Sequence, residues 1–410
     1  MVIRKLIKKI SNRAKRLLAW MRRVKIHWAP SRDKKVDVVI FDASNREKDD
    51  LLPLCGDAQV VLLDVSGLTL QLNWDVICQL VFLVLRGTSI HASYYAVVLR
   101  RLSPAIVITY IDNSDLFYKV ARANYHRMRF LAIQNGARYD VVEMSAQEGR
   151  RIFIPEFACF GEYEKDLYQS KGARVGRYIP VGSLREANFR RYWQDAGPVS
   201  SERYDYDLCV VAEASPGWDK KYPGSEDAFG NIAKYAVRFA RENGLKVVIA
   251  GKRDIAPLRA LAGTHSRDTE VGWYSKYIGT EVPITPRVRD QFTTYGLMSR
   301  SRVSLALMST TLREAANRGN RVVFCNFSGD PRWDFCVEGI WSLTEGSYEA
   351  FAVRIMAVLS MSDEDYRREA TKMVPYVMNN EDQNPTYVIL QKIIADAVSA
   401  RASIPPIPAV

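Results

Sequence analysis

Short runs of β-branched and aliphatic residues alternate with longer helix-patterned stretches, twice over, and that alternation restricts the chain to parallel α/β folds. In the first block, residues 36–42 (VDVVIFD), 60–64, 105–111 (AIVITYI), 130–134 (FLAIQ) and 151–154 read as strands buried on both faces. Helical stretches are expected between them over 70–85, 92–102 and 115–126. The pattern lapses across 186–205, where charge and aromatics surround Gly197-Pro198-Val199-Ser200-Ser201, a composition that suits an interdomain linker. It resumes with strands at 207–212 (DLCVVA), 246–250 (KVVIA), 303–307 and 321–325 (RVVFC), and with a helix over 228–243. Helices near 348–361, 363–374 and 385–401 precede a proline-rich tail. The expected fold class is therefore α/β, with two Rossmann-like domains, 33–200 and 201–384, facing across a cleft. An arm, 1–32, comes before them, and a C-terminal helix and tail, 385–410, follow.

Charge is distributed unevenly. The chain has 58 Lys and Arg against 46 Asp and Glu, a net charge of +12. The first 32 residues hold 11 of those cations and no acid, which leaves the rest near neutral. Within the arm Ile3, Leu6, Ile7, Ile10, Ala14, Leu17, Leu18, Met21 and Val24 recur at three- and four-residue steps, one apolar stripe on a basic helix. Such a helix suits an anionic membrane surface, with each cation near it contributing about 1 kcal/mol. It would equally pack on the protein body. Nucleic-acid binding is not expected, because few stacking aromatics and no recognition motif accompany the charge.

Six scattered cysteines without a C-x-x-C spacing, and only four histidines, point to small buried hydrophobes in a reducing cytoplasm and to no metal site. The longest apolar stretch, near 76–85, is shorter than the ~20 residues a membrane span needs.

Open α/β sheets bind ligands beyond the carboxyl ends of their strands, so the residues that follow each strand are the candidates. After 303–307 come Ser309, Thr310 and Thr311 at the start of a helix that carries Glu314. Hydroxyls and backbone N–H groups there suit a phosphate, and equally an ordinary helix cap. The tip Gly251-Lys252-Arg253 suits a phosphate or a sugar carboxylate, or a solvated turn. After 207–212 stand Glu213, Ser215 and Asp219, and then Asp227 in a helix start. These carboxylates are candidates for nucleophile or base, although Asp227 also suits the helix dipole.

In the first block Asp112, Asn113, Gln134, Asn135 and Arg138 follow strands and suit sugar hydroxyls. Glu156, Glu162 and Glu164 lie in aromatic company that could raise a carboxyl pKa, and Glu164 reads equally as a solvated helix-start residue. Asp205-Tyr206-Asp207 matches the D-x-D spacing of a metal–diphosphate site, but it lies where a strand begins and would face away from the cleft. No P-loop, G-x-G-x-x-G or G-x-S-x-G is present.

Taken together, ITYIDNS, AIQNGAR, CFGEYEKDLY and IPVGSLR in the first half, with STTLREAANRGNRVVFCN in the second, resemble bacterial surface-carbohydrate glycosyltransferases of the GT-B-like, two-domain type. The nearest group is the retaining β-Kdo transferases of capsule and lipopolysaccharide O-antigen synthesis, which use CMP-Kdo. The resemblance covers about residues 36–390. It implies a donor phosphate at Ser309–Thr311 and a cleft carboxylate, matched to Asp227 with Glu213 and Asp219 as rivals, that attacks the anomeric carbon. It also implies a partner carboxyl at Glu162 or Glu156, and no metal or other cofactor, since CMP-Kdo carries one phosphate whose charge Lys252 or Arg253 can offset.

The expected activity is transfer of Kdo to a lipid-linked surface glycan at the inner face of the inner membrane, the arm 1–28 providing the membrane contact. A UDP-, GDP- or CDP-linked donor, or a non-catalytic scaffold of a glycan assembly complex, are the alternatives.

Overall fold

The computed structural model describes residues 25–28, 36–42, 47–65, 69–72, 76–80, 89–138, 149–195, 204–213, 223–254, 267–379, 381–383 and 385–402. The arm expected as a helix therefore lies outside the described residues except for its end, which is extended: β1 (Lys25–Trp28) pairs in parallel with a later strand.

The first domain continues with β2 (Val38–Phe41), α1 (Glu47–Leu51), β3 (Val60–Leu63), β4 (Thr69–Leu72), α2 (Ile90–Leu102), β5 (Ile106–Thr109), α3 (Asp115–Asn124), β6 (Arg129–Ile133), β7 (Phe153–Cys159), α4 (Glu162–Ser170), β8 (Arg174–Pro180) and α5 (Leu184–Asp195). β4 is the partner of β1 and occupies the start of the stretch read as a helix over 70–85. The main sheet has six parallel strands in the order β3-β2-β5-β6-β7-β8. Its centre is buried on both faces: Val38, Val39, Ile40 and Phe41 are wholly covered, which accounts for their unbroken apolar run. β8 carries the exposed Arg174 and Arg177 and was not marked by apolar pattern, as befits an edge strand. Gly176 is needed there because a Cβ would stand 2.6 Å from the Pro155 carbonyl.

The second domain comprises β9 (Tyr206–Val211), α6 (Ser225–Glu242), β10 (Val247–Asp254), α7 (Arg267–Ile278), β11 (Ile284–Arg287), α8 (Thr293–Ser299), β12 (Ser301–Ala306), α9 (Thr310–Asn317), β13 (Arg321–Cys325), β14 (Ser342–Leu343), α10 (Tyr348–Ser360), α11 (Asp363–Ala370) and α12 (Val374–Val377), and α13 (Thr386–Ala402) follows it. Its sheet is again six-stranded and parallel, ordered β11-β10-β9-β12-β13-β14. The helix expected over 363–374 is two helices, broken before Pro375. No described helix is long and apolar enough to cross a membrane.

One expectation between the domains is corrected. The stretch 186–205 is no linker in its first half. It is the helix α5, whose Phe189 packs on Tyr295 (5.0 Å), Phe292 (5.7 Å) and Trp193 (5.2 Å), so the aromatics that broke the pattern form a junction between domains. The expected C-terminal helix is present as α13. α13 crosses back and lays Leu390, Ile394 and Ala397, an i, i+4, i+7 stripe, on the first-domain sheet beside Ile40, Ile106 and Ile108. Leu390→Ala should cost about 2–5 kcal/mol of the first domain's stability, read as a lowered urea midpoint.

Candidate functional site

In the second sheet the chain runs outward from β9 to β10 and β11 on one side, and to β12 and β13 on the other. The crevice between the carboxyl ends of β9 and β12 is thus the topological switch point. Glu213, two residues past β9, fills it. Its carboxylate accepts the Leu307 N–H at 2.7 Å and the Met308 N–H at 3.2 Å, which ties β9 to the turn that leads into α9. The Glu213 N–H donates to the Tyr274 hydroxyl at 3.1 Å, and its carbonyl accepts from Lys252 Nζ at 3.2 Å. Burial raises the Glu213 carboxyl to about 7, against the pull of the two backbone N–H groups and Lys252. Lys252 itself is lowered, first by burial and then by Arg253 and Arg287.

The tip at 251–253 is anchored by Glu270 of α7, whose carboxylate accepts the N–H groups of Lys252 (2.9 Å) and Arg253 (3.1 Å). Gly251 is a packing glycine, not a phosphate contact: it is buried, and a Cβ would stand 2.9 Å from the Thr285 carbonyl of β11.

β12 delivers Ser309, Thr310 and Thr311 to the start of α9. The Ser309 backbone is extended, as at an N-cap, yet its hydroxyl pairs with the Thr311 hydroxyl at 2.8 Å and caps nothing. Thr310 Oγ1 accepts the Ala137 N–H at 2.8 Å, so this helix start touches the first domain. Glu314, expected beside the donor, is instead 1% exposed and held between the domains, accepting from Ser183 and, at 2.6 Å, from the Tyr295 hydroxyl.

The remaining carboxylates divide by surroundings. Asp227 is exposed in the first turn of α6, with the Tyr277 hydroxyl 3.4 Å away. Glu162 is exposed in the first turn of α4 and pairs with Lys165. Glu156 lies within β7 in a two-pronged pair with Arg129 (2.7 and 2.8 Å), and Arg129 also reaches the Ile393 carbonyl of α13. It braces the C-terminal helix and does not join the others. Ser215 and Asp219 lie outside the described residues. Asp205 and Asp207, at the opposite end of the sheet, pair with Arg300 and Arg302.

The group expected to meet sugar hydroxyls is largely committed within the protein. Asp112 and Arg138 form a buried ion pair, and Asp112 also accepts the Asn135 N–H at 3.2 Å. Gln134 is 1% exposed: its amide donates to the Gly136 carbonyl (2.9 Å) and Glu164 (3.1 Å), and its oxygen accepts the Phe160 N–H (2.8 Å). Asn113 is exposed, and Asn135 is half-buried with its side-chain oxygen accepting from Arg138 Nη2 at 3.2 Å.

Sequence reasoning missed three participants. Glu164 is not solvated but wholly buried, and pairs at 3.1 Å with Arg313 of α9, itself wholly buried. A cation between Leu312 and Ala315 on an apolar helix face was the available signal, because a buried Arg requires a buried acid. Glu270 was the second. The third is Asp42, just past β2 at the switch point of the first sheet, where it adopts a left-handed φ of 58° and accepts from the Ser114 hydroxyl at 3.2 Å.

No protein-family model and no curated protein sequence matches the chain. Solved structures do. UDP-GlcNAc 2-epimerase from Neisseria meningitidis, bound to UDP-GlcNAc, aligns with a TM-score of 0.51 and 14% identity over 89% of this chain and 100% of that one. S. aureus MnaA with UDP aligns with a TM-score of 0.51 and 10% identity over 92% of this chain and 99% of that one. At such identity the likeness is one of fold: two Rossmann-like domains in the GT-B arrangement.

Because the Glu213 carboxyl is raised from 4.5 to about 7, the folded protein holds a proton there that the unfolded chain releases. Its contribution is full below pH 4.5 and is lost as pH climbs to about 7, a change of about 3 kcal/mol at most. Glu186, also raised to about 7 by burial, acts in the same window. Urea unfolding from pH 4.5 to 8 should show Glu213→Gln gaining on the parent as pH rises; a constant gap would refute the raised carboxyl.

Proposed function

We propose that the chain is a glycosyltransferase that uses a nucleotide-linked donor, with CMP-Kdo as the donor and a lipid-linked surface glycan as the acceptor. What supports this reading is the linkage through Glu213: its carboxylate accepts the Leu307 and Met308 N–H groups just before the paired Ser309 and Thr311 hydroxyls, and its carbonyl accepts from Lys252. Helix-terminal N–H groups, hydroxyls and a cation together suit a phosphate ester, and they stabilise the charge that gathers on it as the sugar departs.

A carboxylate that attacks an anomeric carbon must be ionised and accessible. Glu213 has both oxygens occupied by backbone N–H groups and serves to hold the 307–308 turn. Asp227 is open to solvent and is the assigned nucleophile. In the first step its oxygen bonds to the anomeric carbon while the bond to the CMP phosphate oxygen breaks, and CMP leaves with the electron pair. In the second step the acceptor hydroxyl displaces Asp227 and gives its proton to a first-domain carboxylate, for which Glu162 is the exposed candidate. Two displacements retain the anomeric configuration. One phosphate needs no bridging metal.

The basic stripe of residues 1–28 would keep the enzyme against an anionic inner leaflet, where such an acceptor resides. A UDP-linked donor is the second reading, favoured by the UDP-GlcNAc and UDP held by the fold neighbours.

A thermal-shift series with CMP, UMP, UDP, GDP and CDP, each with and without Mg²⁺, separates the two. CMP without metal at 100 times its Kd should stabilise the protein by about 2.7 kcal/mol. A selective, Mg²⁺-dependent response to UDP would replace the CMP reading. Ser309→Ala combined with Thr311→Val should weaken CMP about tenfold or more, since bonds to a charged group are worth about 1.5–3 kcal/mol. Asp227→Asn should abolish transfer from CMP-Kdo while CMP affinity is kept; transfer at the parent rate would remove Asp227 from the mechanism.

A further inference from the structure

We infer that Gln134 and the Glu164–Arg313 pair are positioning residues, closing a ring of directional contacts that keeps the first-domain loop 134–138 in register with the start of α9. The inference rests on Ser309–Thr311 being the nucleotide-phosphate site. The ring leaves α9 at Thr310, whose Oγ1 accepts the Ala137 N–H at 2.8 Å. From the neighbouring Gly136 it passes to Gln134, whose amide holds the Gly136 carbonyl at 2.9 Å and Glu164 at 3.1 Å. Glu164 then returns it to α9 through Arg313 Nη1 at 3.1 Å. Thr310 and Arg313 are three residues apart and lie on one face of the helix, so the ring grips one face at two heights.

Stability alone does not explain these residues. Both side chains of the pair are 0% exposed, and the cost of removing two charges from water cancels much of their attraction, so apolar side chains of the same volume would hold a seam about as well. What the polar ring adds is direction. Gln134 is saturated at both ends of its amide, the Arg313 guanidinium stands 4.9 Å over the Tyr163 ring, and Glu164 also accepts the Gly161 N–H at 3.2 Å. A phosphate arriving at Ser309 and Thr311 displaces the residue between them, and Thr310 passes that displacement to Ala137. Arg313 keeps the helix from rolling as it does so. The loop thereby follows the nucleotide, and Asn135 moves with it.

Hydrogen exchange of the full chain, with CMP as probe, tests this. In the parent, saturating CMP should slow amides of both 307–314 and 134–138 by about tenfold or more. Gln134→Met keeps the volume, and the double variant Glu164→Leu/Arg313→Met leaves no unpaired buried charge, so both are expected to fold. In each, the slowing of 307–314 should persist while that of 134–138 drops below about twofold, and Arg313→Lys should restore part of it. A merely structural role would raise basal exchange and leave the CMP-induced slowing at 134–138 intact. That result, or slowing of 307–314 alone in the parent, overturns the inference. Absence of any slowing at 307–314 with CMP, UMP, UDP, GDP or CDP refutes the phosphate site itself, and the inference falls with it.

Discussion

The arrangement of the two domains depends on α9, a helix of eight residues whose inner face is polar where a packed helix is usually apolar. Arg313 meets Glu164, Glu314 meets Ser183, and Asn317 meets Glu186 at 3.3 Å, each contact crossing from the second domain to the first. An apolar seam would tolerate sliding, because dispersion and burial have no direction. Here each carboxylate has specific donors, and a displacement of an ångström or two would strand buried charges at a cost of about 3–5 kcal/mol per broken pair. The helix that fixes the domains is also the one whose first turn faces the switch-point crevice, so the geometry of the cleft and the geometry of the seam are one constraint.

The two sheets use their switch points differently. In the second, Glu213 spans the gap between β9 and β12 with its carboxylate, and the backbone there needs no unusual conformation. In the first, Asp42 follows β2 with a left-handed backbone, a conformation short polar residues tolerate at modest cost, and is fastened to Ser114 at the start of α3. Acidic residues thus mark both crevices, one closed by hydrogen bonds and one half-exposed.

Most of the fold was legible because central parallel strands must be apolar on both faces. The runs at 36–42, 105–111, 130–134, 207–212 and 321–325 all became strands within two residues or so. Two edge strands, β8 and β11 (ITPR), escaped, since each pairs on one side only and carries arginine. β4 escaped because an apolar stretch of its length fits a strand or a helix equally. The site was legible at its strand-end residues and illegible in its partnerships. Nothing in the string AIQNGAR tells that Gln134 is consumed by Glu164 and Gly136, or that Arg138 belongs to Asp112. Such pairings join residues far apart in the chain, and periodicity carries only local information.

The seam also explains why its acids sit so far from their ordinary ionisation. Burial raises Glu164, Glu186 and Glu314, with nearby arginines pulling each back. Arg190 reaches Glu186 at 3.2 Å, while the Arg318 guanidinium stacks between Phe189 (5.0 Å) and Tyr295 (5.2 Å) and donates to no described acceptor. Arg318 therefore acts on Glu186 and Glu314 through charge rather than through a bond. Glu186, raised to about 7, gains a proton as pH falls toward neutrality, and its attraction to Arg190 and Arg318 weakens with it. Proton uptake at Glu186 favours the folded chain by linkage even as it loosens this one charge contact of the seam.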